Sequence, residues 1–361
     1  MLRGNKGEWS EIYVFLYLLA AGRLYAADAD LNKIKSAYYE ILKILRDEDF
    51  GKLEFCVNNT NAAIDIKSID NGNLIASIPM KIFGRWARFL FSQIQGNSKS
   101  VFTVPAVEKF LQGFYVKTLK AKNSSKADIR IQIHDINSGL NLIQGFSIKS
   151  RLGSPSTLIN AGKTTNFIYE ITGDLPADYI QKINSCRKFA DKFSLLYALN
   201  CKLHYQTMEN STFEGNLLLI DSSLPQICSH LLLEYYQGSS SSAEDVLNVV
   251  EKVNPLNYNL ALGQPFYQYK FKKLLSESAL GMLPSKPWQG IADATGGYIV
   301  VKENGDVLCY HLFNRNEFEQ YLLSNTRFET ASTSRHDFGH IFTDASGRNF
   351  IKLNLQIRFI K

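Results

Sequence analysis

The chain has 361 residues, with 40 Lys and Arg against 34 Asp and Glu, a formal net charge of +6, 45% hydrophobic residues and 20% charged ones. These proportions exclude a disordered chain, a collagen and a low-complexity fibre, and the length suits one large or two medium domains with a full core. The cationic surplus sits in one stretch: thirteen Lys and Arg against three acids between Pro79 and Lys163, leaving 27 against 31 elsewhere. A basic segment in a mildly acidic chain points to a polyanionic partner for that segment.

Met1 to Ala29 has the outline of a signal peptide, with an apolar run from Ile12 to Ala21. Glu8 and Glu11 interrupt the region that should be positive, and the run is shorter than the roughly 20 residues a bilayer requires. The expectation is a buried helix from about Glu8 to Ala21, with no membrane association. Cys56, Cys186, Cys201, Cys228 and Cys309 are scattered without a CxxC pair, which fits reduced thiols in a cytoplasmic protein and offers no zinc set. A second helix is expected from about Asp30 to Arg46, where Leu31, Ile34, Tyr38, Ile41 and Leu42 recur at helical spacing. Strands follow at Leu53–Val57, Ala63–Ile66 and Leu74–Ile78. A helix over Pro79–Gln95 then places Lys81, Arg85 and Arg88 on one face.

Lys126 to Asp135 alternates with period two, so Ile129, Ile131 and Ile133 face one way and Asp128, Arg130, Gln132 and His134 the other. Asn137-Ser138-Gly139 reads as the turn, and Leu142 to Ser150 as the returning strand. Centred between Ser138 and Gly139, the hairpin sets Asp128 opposite Lys149, Arg130 opposite Ser147, Ile129 opposite Ile148 and Ile131 opposite Phe146. One face is then apolar core, and the other gathers Asp128, Ser147 and Lys149. Residues 181–285 read as mainly helical, broken at Gly238–Ser242. Beyond Gly290 come strands, including a hairpin over Asn304-Gly305, a short helix opened by Asn314 and Glu317, and a strictly alternating strand from Lys352 to Phe359.

A carboxylate beside a lysine suits phosphodiester hydrolysis: the carboxylate holds Mg2+, a hard cation, while the ammonium positions hydroxide or neutralises phosphate. A structural salt bridge across the hairpin is the plainer alternative. Asp128 followed by Ser147-Ile148-Lys149 reads as the PD-(D/E)xK nuclease pattern, with serine in place of the usual middle acid. A hydroxyl is a poor metal ligand beside a carboxylate, so another oxygen is needed. Glu11 is preferred, with Glu8 as its fallback, and Glu170 is the other candidate. The catalytic set expected is therefore Asp128, Lys149, Ser147, Glu11 and Glu170, of which Asp128, Glu11 and Glu170 are the metal candidates.

At Asn5–Val14, Gly22–Asp28, Gly145–Asn160 and Thr165–Tyr169 the sequence resembles the HpaII-type family of type II restriction endonucleases. The Ser147-Ile-Lys-Ser150 block with its Leu152-Gly-Ser154 tail is the most specific match. The likeness extends over the whole chain, and its matching motifs lie before about residue 171. It implies an α/β (α+β) fold of restriction-endonuclease type: a mixed sheet flanked by helices, a helical middle region and a β-rich end. It also implies Mg2+-dependent cutting of unmethylated double-stranded CCGG between the cytosines, with 5′ overhangs. A homodimer on DNA and a cognate DNA methyltransferase as genetic partner follow from the same reading. The expected division is 1–180 for the nuclease core, 181–288 for the helical region, and 289–361 for a β-rich region reading DNA.

Reading CCGG calls for Arg or Lys on guanine, and acids or amides on cytosine. Arg335, His336 and Asp337 lie in a polar loop, and Lys352, Asn354, Gln356 and Arg358 share one face of the last expected strand. Arg130, Arg151 and Ser154 lie near the expected site, and Lys117, Lys120, Lys122 and Lys126 are further phosphate contacts. Two other readings are a structure-selective resolvase or repair nuclease of the same fold, and a non-catalytic DNA-binding protein.

Overall fold

The computed structural model describes residues 1–48, 51–120, 127–136, 139–238 and 240–360. The chain begins with α1 (Lys6–Ala21), β1 (Arg23–Ala27), β2 (Lys33–Glu48), β3 (Gly51–Asn58), β4 (Ala63–Ser68) and β5 (Leu74–Pro79). Next come α2 (Met80–Gly96), α3 (Pro105–Gln112), β6 (Ile129–Asp135) and β7 (Asn141–Ser150). The middle holds β8 (Thr157–Ile159), β9 (Asn166–Thr172), α4 (Ala177–Ser185), α5 (Phe189–Ala198), β10 (Lys202–Met208), α6 (Ser211–Ile220), α7 (Leu224–Tyr236), α8 (Ala243–Val253) and α9 (Phe266–Leu280). The remainder is β11 (Gly297–Val301), β12 (Val307–His311), α10 (Arg315–Ser324), β13 (Thr326–Phe328), α11 (Thr333–His336), β14 (Ile341–Thr343), β15 (Asn349–Asn354) and β16 (Ile357–Phe359). Among the described residues, no helix is long and apolar enough to cross a membrane.

Two units emerge, residues 1–156 with 292–321, and residues 157–291 with 322–360. This differs from the division at 180/181 and 288/289 read from sequence. The cause is a long-range parallel pairing: β11 lies beside β7, with Ile299 opposite Ile148, which draws residues 292–321 back into the first unit. Composition along the chain carries no trace of such a pairing.

The first unit is a mixed sheet ordered β1-β12-β11-β7-β6-β2-β3-β4-β5, and β1 also pairs with β2. Six strands (β1, β12, β11, β7, β6 and β2) thereby form a hydrogen-bonded ring. α1 is buried nearly all round, through Trp9, Ile12, Val14, Phe15, Leu16, Leu18 and Leu19. A helix apolar on every side is stable only inside a core. Phe15 meets Phe55 edge-on at 4.8 Å, and Phe55 meets Phe114 at 5.8 Å; full burial of each such ring contributes about 1.5–3 kcal/mol. α2 packs on α1 through Phe83, Ala87, Leu90 and Ile94, while Lys81, Arg85 and Arg88 stay exposed as their spacing predicts.

Three local readings are corrected. Residues 33–48 are a strand, not a helix: a bulge between Ile41 and Lys43 breaks the two-residue period, so the buried Ile41 and Ile44 imitate helical spacing. The β6–β7 register lies two residues from the expected one, with Ile129 opposite Phe146 and Arg130 opposite Gly145. Gly139 takes φ +71° at the end of the loop, its N–H bonded to Asp135 O. An even slip preserves the faces, so Ile129, Ile131 and Ile133 are buried as expected. The tail is not one strand: β15 joins the sheet β10-β9-β15-β14 and β16 joins β13-β16-β8. At the break, Asn354 is buried, its amide donating to Gly162 O and Asn166 Oδ1, so alternation fails there.

Gly297 opens β11 at φ +101°, and a Cβ there would stand 2.2 Å from Tyr310 O. Gly297→Ala is expected to destabilise the protein by about 2 kcal/mol or more; urea unfolding followed by tryptophan fluorescence checks this through an earlier midpoint.

Candidate active site

Asp128 immediately precedes β6, its N–H donating to Phe146 O at 2.9 Å. Its side chain reaches across to β7, where Oδ2 accepts from the Ile148 N–H at 2.7 Å and from the Ser147 hydroxyl at 3.1 Å. Both donors converge on one oxygen, which orients the carboxylate and directs Oδ1 elsewhere. Ser147 is buried and acts as a donor to Asp128.

Lys149, two residues on, is half-buried, with Nζ 5.1 Å from the ring centroid of Tyr298 on β11. Burial pulls its ammonium below the ordinary lysine range, while the charges of Asp128 and Glu11 oppose that pull. Among the described residues, no ion pair joins Lys149 to Asp128, so the two are not a plain cross-hairpin salt bridge.

Glu11 comes from α1. The Ser10 hydroxyl donates to Lys6 O and lies 2.7 Å from Ser150 Oγ, which ties the helix to the end of β7. The Glu11 carboxyl is pushed up from 4.5 to about 8, first by burial and then by the charge of Asp128, with Lys120 and Arg46 pulling the other way. Two carboxyls thus share one small region, and hard oxygen donors of this kind suit a divalent cation. No group of three His, Cys, Asp or Glu gathers among the described residues. Mg2+ commonly takes one or two carboxylates and fills its shell with water and phosphate oxygens, so the pair fits it.

Glu8, the fallback, is committed to the helix start. Its Oε2 accepts from the Asn5 N–H while Asn5 Oδ1 accepts from the Glu8 N–H, a capping box. Its Oε1 lies 3.7 Å from Lys120 Nζ. Glu170 lies on β9 in the second unit, where Gln206 Nε2 donates to it at 2.9 Å.

Arg46 and Glu48, on the bulged strand, were not anticipated as part of this region. Both are buried, with Arg46 Nε 2.6 Å from Glu48 Oε1. The guanidinium also donates to Thr118 O and Leu119 O, and Glu48 accepts from the Lys117 N–H at 3.0 Å. This buried pair anchors the segment that leads to Lys120. Tyr298 was missed as well, because its strand belongs to the site only through the parallel pairing with β7.

A cleft of about 840 Å³ opens over this region, lined by the first turns of α1, the loop Asn97–Ser100, Lys120, the end of β7 and the loop Leu152–Ser156. Ser154 lines it. Arg151 pairs with Glu303 at 3.0 Å and Arg130 with Asp47 at 3.4 Å. Lys122 and Lys126 lie outside the described residues. In the second unit Arg335 is exposed on α11, while the carbonyls of His336 and Asp337 accept from the amide of buried Asn166. Lys352 bridges Glu209 and Asp337, which holds the Asp337 carboxyl below its ordinary value. Gln356 O accepts from the Glu329 N–H, and Arg358 pairs with Glu329 at 3.0 Å.

Residues 5–359 match the family model described as HpaII restriction endonuclease. The chain is 43% identical over 358 residues to the type II restriction enzyme HpaII of Haemophilus parainfluenzae, covering 99% of this chain and 98% of that protein. No solved structure matches.

Glu11 gives the site a pH signature. In the folded, metal-free protein it keeps its proton to about pH 8, whereas the unfolded chain releases it near 4.5. Stability from this group is therefore full below the lower value and lost as pH rises through the upper one. Melting temperatures in chelator should show Glu11→Gln gaining on the wild type across that window; a constant difference would contradict the buried carboxyl.

Proposed function

Because the chain belongs to the HpaII restriction endonuclease family, and is thus a type II site-specific deoxyribonuclease acting on DNA, we propose that it cuts unmethylated double-stranded CCGG between the cytosines, leaving 5′ overhangs. The proposed machinery is Asp128, Glu11 and Lys149. The observation that carries it is the anchoring of Asp128 Oδ2 by Ile148 and Ser147, with Glu11 brought up from α1 and Lys149 alongside.

Type II enzymes of this kind generally use divalent ions, and Mg2+ is the ion proposed, held by Asp128 and Glu11. When bound it supplies charge stabilisation at the scissile phosphate and lowers the pKa of water. The chain's own residues do the rest. Ile148 and Ser147 fix the direction of the Asp128 carboxylate. The Lys149 ammonium neutralises a phosphate oxygen or orients the attacking hydroxide. The partial burial of Glu11 and Lys149 weakens the screening of these charges by water.

We assign the nine-stranded unit to the PD-(D/E)xK nuclease fold, supported by the Asp128 to Lys149 hairpin inside a mixed sheet with α1 against it. The palindrome supports a two-fold pair of copies on DNA. A cognate methyltransferase belongs to the same proposal, since an unprotected target would expose the host's own DNA. The five unbridged cysteines support a cytoplasmic setting.

Incubation with plasmid and Mg2+, followed by sequencing of the ends, tests the function. Discrete fragments ending at CCGG, abolished by chelator and by prior methylation of the site, are expected. Ends at junctions or at other sequences would reject the target.

A further inference from the structure

We propose that Lys6 and Lys99, on the wall of the cleft that Lys120 also lines, grip backbone phosphates of duplex DNA next to the reacting one. The inference rests on the nuclease reading and deepens it by naming where the backbone is held.

Four of the cations that the sequence offers for DNA contact are already matched with carboxylates. Arg130 has Asp47, Arg151 has Glu303, Lys352 has Glu209 and Asp337, and Arg358 has Glu329. The cleft differs. Four lysines line it (Lys6, Lys99, Lys120 and Lys149), against two acids, Glu8 and Glu11. Glu8 is taken up by its helix cap and by Lys120. Among the described residues, neither Lys6 nor Lys99 is in an ion pair. A cleft with unmatched cations beside a phosphodiester-cutting cluster is the electrostatic complement of a DNA backbone.

These lysines project from a fixed backbone. Gly4 and Phe102 exchange both main-chain hydrogen bonds, at 3.1 and 2.9 Å, which joins the loop after α2 to the start of α1. The buried Trp9 indole donates to Phe102 O at 3.1 Å and stacks on its ring at 6.1 Å. Asn97 Oδ1 accepts from the Lys99 N–H at 2.9 Å and shapes the turn that presents this exposed side chain. Lys120 follows Thr118 and Leu119, which the buried Arg46 holds. Ser98 and Ser100 add hydroxyl donors to the same wall. A preorganised wall loses less entropy on binding than lysines on a loose loop.

Salt dependence gives a readout that a merely structural role would not move. Binding of a short duplex is followed by fluorescence anisotropy, without divalent ions, between about 50 and about 200 mM NaCl. Each phosphate contact contributes about 0.9 to the slope of log K against log salt. Lys6→Gln and Lys99→Gln should each lower the slope by about 0.9, and together by about 1.8, with Lys99→Arg restoring its share. Lys81→Gln, about 24 Å along α2 from Asn97 at 1.5 Å per residue, should leave it unchanged. A wild-type slope kept by the double variant overturns this inference alone. A wild type that binds no duplex overturns the proposed function together with it.

Discussion

The hydrogen bond from the Ile148 N–H to Asp128 Oδ2, 2.7 Å long, is the constraint on which the site depends. It locks a carboxylate from just before one strand onto the backbone of its neighbour. Its geometry therefore follows the register of β6 against β7. β7 is in turn fixed from its other side by β11, in parallel register from Gly297 to Val301. The Ser147 hydroxyl adds a second donor. Where nucleases of this pattern carry a middle acid, this chain has a side chain that orients the first one. In the proposed reading the missing oxygen comes from another element, Glu11 on α1, whose carboxyl feels the charge of Asp128.

Such an arrangement costs stability. Glu11 is half-buried near a second carboxyl, and Lys149 is half-buried over an aromatic ring. Each charge alone would be destabilising in that environment. Arg46 and Lys120 offset part of the carboxyl repulsion, and Arg46 is itself neutralised by Glu48. The result is a set of ionisable groups running from the sheet interior to the cleft. Its outer members face solvent and are suited to an incoming phosphate and cation, while its inner members hold the backbone still.

Much of this was legible in the sequence, for physical reasons. The Ile129, Ile131 and Ile133 alternation marks a half-buried strand whatever its partner, and the apolar run from Ile12 has no polar face and so must be interior. Asp128, Ser147 and Lys149 share a face in either register, because the error was even. What was not legible depends on contacts between distant residues. The bulge in β2 hid a strand and, with it, the buried Arg46 and Glu48. The return of β11 to β7 hid Tyr298 and the division into units. Asn354, turned inward by its bonds to Gly162 and Asn166, broke a tail that alternates cleanly on paper. Lys6 and Lys99 are set apart from other lysines by the cleft they line, a placement that only the folded chain reveals.

The most direct test is single-turnover cleavage of a duplex carrying the site by Asp128→Ala, Lys149→Ala and Ser147→Ala, with DNA binding measured in parallel. The first two should lose cleavage by at least about a thousandfold, on the order of several kcal/mol of lost transition-state stabilisation, while still holding DNA. Ser147→Ala should lose about tenfold or less, the worth of one of two hydrogen bonds to Asp128. Cleavage at the wild-type rate by either Asp128→Ala or Lys149→Ala would contradict the account.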